Sequence, residues 1–91
     1  MAQLGMDVEA IEQLGHKLRD TIAPQITDLI NAIDHVVGSM EASWWGPDAH
    51  AFCHEWWPQH KGELHNAYQA IHGLGQSALN NAQDQRIVSG R

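Results

Sequence analysis

Close to the middle of the chain, the stretch Trp44-Trp45-Gly46-Pro47-Asp48-Ala49-His50-Ala51-Phe52 separates two long segments with helical periodicity. Gly46 accepts a positive φ at little steric cost, and Pro47 has its φ preset for the first position of a helix, where its missing N–H is not needed. The pair therefore closes one helix and opens the next. Asp48 falls in the first turn of the second helix, where free backbone N–H groups and the positive end of the dipole favour a carboxylate.

The arm before this corner carries its own start signal, with Asp7 as N-cap and Glu9 in the first turn. Ile11, Leu14, Leu18 and Ile22 recur at helical steps, and Ile26, Leu29, Ile33, Val36 and Met40 continue in threes and fours to one step short of Trp44. That is a coiled-coil-like seam. Between Leu18 and Ile26 two steps of four follow each other, a stutter with Pro24 inside it. The reading is one bent helix over about 7–41, with a clean break near Pro24 as the alternative, and a turn over about 42–46. Gly15 weakens the same region slightly.

In the second arm Ala49, Phe52 and Trp56 are spaced by three and four, and Leu64, Ala67, Ile71, Leu74, Ala78 and Ala82 resume the pattern after a slip at Pro58. A helix over about 47–85 with a bend at Pro58 is expected. Gly73-Leu74-Gly75 is read as plain small-residue packing, with close approach of a neighbouring helix as the alternative. The lead through Met6 is expected to fray, and 86–91 to form a flexible tail.

Ninety-one residues make one small domain, and two arms of some 35 residues, each roughly 50 Å long as a straight helix, must lie antiparallel when joined by so short a turn. The fold class is all-α, an antiparallel helical hairpin. A lone hairpin of this size encloses little core, so pairing into a four-helix bundle dimer is expected. Hairpin or dimer packing is assigned to Leu18, Ile22, Ile26, Leu29, Ile33, Phe52, Trp56, Leu64, Ile71 and Leu74, with Val8, Ile30, Val37, Trp57 and Ile87 in flanking positions.

A formal net charge of −6 with only five Lys and Arg argues against nucleic acid and anionic membrane, which are bound through clustered basic residues. No run of about 18 apolar residues suggests a membrane span, and Met1-Ala2-Gln3-Leu4-Gly5-Met6-Asp7 lacks the basic and apolar regions of a cleavable signal peptide.

Seven histidines are the other unusual feature. His50 and His54 share a helical face at i and i+4, near Cys53, Glu55 and His60, yet no third metal ligand is placed and the His-Glu-X-X-His order is missing. No metal or cofactor is expected. A solvated stripe through His50, His54, Lys61, His65 and His72 is the preferred account, and its charging between pH 7 and 5 would make association pH-dependent. Cys53, beside Phe52, is read as a small buried residue rather than a nucleophile, because two packed helices offer no pocket to hold a base and an orienting group. Catalysis is not expected.

Trp44-Trp45-Gly46, followed by Ala49, Phe52 and Trp56 at offsets of five, eight and twelve from Trp44, resembles the WXG (Trp-X-Gly) family, the early-secreted-antigen-like substrates of bacterial type VII secretion. Nearly the whole chain follows that pattern, with apolar heptads on both sides of a central turn. The resemblance implies a hairpin that pairs with itself or with a sister WXG protein as a four-helix bundle, engages the type VII secretion ATPase, and leaves the cytoplasm for the extracellular medium. Trp44 and Gly46 match the defining positions, with Trp45 as the variable middle, and these three are assigned to secretion and partner recognition. The chain departs from the family in lacking Tyr-X-X-X-Asp/Glu after the second helix: its only tyrosine, Tyr68, is followed four residues later by His72. A partner chain would then supply that half of the export signal. The alternative function is an intracellular helical adaptor or chaperone that escorts a larger type VII effector or toxin.

Overall fold

A computed structural model describes residues 5–89, and all its regular structure is helical. The first helix runs through Val8–His16, a π-helical stretch Lys17–Ile22, and Ala23–Ser43. After a three-residue corner the second runs through Pro47–Ala51, a π-helical stretch Phe52–Trp56, and Trp57–Ser89. The two lie side by side as an antiparallel hairpin measuring 67 × 20 × 17 Å. Asp7 caps the start as expected, its side chain accepting from the Ala10 N–H at 3.1 Å.

Neither internal proline breaks its helix. Ala23, just before Pro24, donates its N–H to the Leu18 carbonyl, and Trp57, just before Pro58, donates to the Phe52 carbonyl, both five residues back. Proline lacks the N–H for the ordinary bond, and its ring crowds the carbonyl four residues earlier. A widened π turn holds one extra residue and relieves that crowding without ending the helix. The stutter around Pro24 and the slip at Pro58 are the sequence traces of these two turns.

Ala49 and Ala82 are buried as the second-arm pattern expects, but at three places the inner seam is offset by one residue from the expected one. In each of the adjacent apolar pairs Leu29-Ile30, Val36-Val37 and Trp56-Trp57 the first member is half exposed, at 49, 52 and 53%, and the second is buried, at 2, 7 and 6%. Ile30, Val37 and Trp57 are therefore core residues, not flanking ones, and with Ala23, Ala49, Cys53 and Ala82 they form the buried apolar set among the described residues. Leu18, Ile22, Ile26, Ile33, Phe52, Leu64 and Ile71 are half-buried along its edges, and Leu29, Trp56 and Leu74 lie on the outside of the hairpin. Small residues such as Ala23, Ala49, Cys53 and Ala82 at inner positions let the backbones approach, with Ile30, Val37 and Trp57 as the large side chains of the core.

Gly75 is where the helices come closest. A Cβ there would stand 2.7 Å from both the Arg19 nitrogen and the Gly15 carbonyl oxygen, so this glycine makes a close approach rather than ordinary small-residue packing. The second helix also passes its expected end at about 85 and reaches Ser89, tied by Arg86 to Glu12 of the first helix. The expectations for Met1 to Leu4 and for Gly90 and Arg91 lie outside the described residues.

Candidate functional site

The corner is built by backbone rules acting on three residues. Ser43 ends the first helix, Trp44 turns extended at φ −145° and ψ 125°, and Gly46 stands at φ 109° and ψ 179°, a conformation open essentially to glycine alone. Pro47 then starts the second helix, and the Gly46 carbonyl accepts its first bond from the His50 N–H at 3.0 Å. The extended Trp44 and the turn at Gly46 leave Trp45 80% exposed, beside Glu41, His50 and His54.

Trp44 folds back over the second helix. Its ring lies 5.5 Å from that of Phe52, which stacks on Trp56 at 5.3 Å, and Trp56 in turn meets the His60 ring edge-on at 4.2 Å. Phe52, Trp56 and His60 follow at steps of four, so the helix itself aligns them. The result is an aromatic ladder along the outside of the hairpin, with an open groove lined by Trp44, Phe52 and Trp56 and bordered by Asp48, Glu55 and Gln59. The opposite side of the corner is polar: His54 Nε2 lies 2.7 Å from Glu41 Oε1, linking the two helices, and the His50 ring lies over His54 at 4.9 Å.

Below the corner the arms are tied by Asp34, which accepts from Trp57 Nε1 at 2.8 Å and from Lys61 Nζ at 2.8 Å. These donors, Lys61 first, hold the Asp34 carboxyl below its ordinary pKa. Lys61 is thus an inter-helix residue rather than part of a solvated stripe. Of the remaining histidines, His16 lies against Asp20 and His60 against Glu63, and the His72 ring lies 5.8 Å from that of Tyr68. Among the described residues no group of three His, Cys, Asp or Glu is gathered to hold a metal ion, and Cys53 is buried.

Of the residues assigned to recognition, Trp44 and Trp45 are both at the surface of the corner, while Gly46 makes the corner possible. Phe52 and Trp56, assigned to packing, join Trp44 in the groove. Sequence reasoning missed the rim: Asp48 was read only as a first-turn carboxylate, and Glu55 only as a neighbour of possible ligands. The sequence carries no clear signal for this pair, because the π-helical stretch Phe52–Trp56, in which Glu55 lies, changes which positions share a face. No helix is long and apolar enough to cross a membrane among the described residues. No family model, curated protein or solved structure matches the chain.

Proposed function

We propose that this chain is a WXG-type substrate of a type VII secretion system, acting by protein–protein binding as a homodimer or paired with a sister protein, and exported to the extracellular medium. The observation that carries the reading is Trp44-Trp45-Gly46 at the reversal of a two-helix chain, with Trp45 80% exposed and Gly46 at a glycine-specific φ. An indole at the surface joins a large apolar body to one polar atom, a combination favoured at interfaces.

The surface of the single chain supports pairing. It exposes 6597 Å², where a folded 10.1 kDa monomer typically exposes roughly 5,300 Å². Leu14, Leu29, Val36, Met40, Trp56 and Leu74 are all at least 40% exposed, far more large apolar surface than isolated exceptions would leave. A second hairpin laid against these residues completes a four-helix bundle. The secretion ATPase is the further partner in this reading.

Export decides it. The chain is expected in culture filtrate of the producing cells and absent from it when the secretion ATPase is deleted. Retention inside the cell together with a co-purifying larger protein would replace secretion with the adaptor role. Trp44→Ala is expected to leave the helical assembly intact and to abolish export, and loss of the helical signal in that variant would make Trp44 structural instead.

A further inference from the structure

We draw no further inference here: the strongest candidate, the aromatic groove that Trp44, Phe52 and Trp56 line on the outer side of the corner, is an unpartnered apolar face, and nothing in the structure shows what covers it.

Discussion

The indole Nε1 of Trp57 donates to Asp34 Oδ1 at 2.8 Å, which locks the residue before Pro58 onto the opposite helix while the ring itself is buried. Trp57 is the largest side chain in a core otherwise made of Ala, Ile, Val and Cys. Trp57→Ala is expected to cost about 3–5 kcal/mol in urea unfolding followed by circular dichroism. Trp57→Phe keeps most of the ring and should cost clearly less. Equal losses in the two variants would place the stabilisation in the Asp34 bond rather than in the ring.

Gly75 and Gly73 differ by two positions and should respond oppositely to alanine. Both gain helix propensity, about 1 kcal/mol each. At Gly73 nothing lies within 4 Å of an added Cβ, so Gly73→Ala should raise stability by about that amount. At Gly75 the Cβ meets backbone atoms of Arg19 and Gly15 at 2.7 Å, so the helices must part, and Gly75→Ala should lose about 1–3 kcal/mol net. Gly15→Ala falls between them, because its Cβ contacts at 3.1–3.2 Å include the yielding side chain of Leu79. A gain of stability in Gly75→Ala would refute the close approach.

The corner was legible because its rules are local: a positive-φ glycine followed by a proline at the helix start needs no knowledge of the rest of the chain. The pairing of the arms followed from the shortness of the turn. Which ridge faces inward was not legible, because Leu29-Ile30, Val36-Val37 and Trp56-Trp57 each offer an apolar side chain to two neighbouring faces, and periodicity alone cannot choose between them. The π turns before Pro24 and Pro58 add to the difficulty, since one extra residue rotates everything beyond it by about 100°. The aromatic groove was half legible: Trp44 stood out as a recognition residue and Phe52 and Trp56 as packing residues, but their joining in one groove emerges only in three dimensions.

Arg19, and then His16, lower the Asp20 carboxyl from 3.8 to about 2, and Lys61, then Trp57, lower that of Asp34. A carboxyl whose pKa is lower in the folded state contributes its stabilisation in full above its unfolded value and loses it as pH falls through the folded one. For Asp20 that window runs from about pH 4 down to about pH 2. Both carboxyls are close to solvent, so salt screens the effect. Asp20→Asn should flatten the fall of stability across this window and narrow its difference from the unaltered chain in 1 M salt. An unchanged slope between pH 4 and 2 would show that the Arg19 and His16 contacts add nothing to stability.

Gly46 and Trp45 separate what the corner does for the fold from what it offers a partner. An alanine at Gly46 meets no atom within 4 Å, so its whole effect comes from the backbone angle of +109°, at about 1–3 kcal/mol. Trp45 is 80% exposed and, among the described residues, has no ring contact like that of Trp44 with Phe52, so Trp45→Ala should stay within about 0.5 kcal/mol of the unaltered chain. In the secretion reading Trp45→Ala therefore tests recognition alone, and Gly46→Ala tests recognition and fold together. Thermal unfolding and export measured on the same two variants give four values. Export lost in Trp45→Ala at unchanged stability assigns this indole to partner contact. Export retained there but lost in Gly46→Ala in step with its stability reduces the role of the corner to reversing the chain.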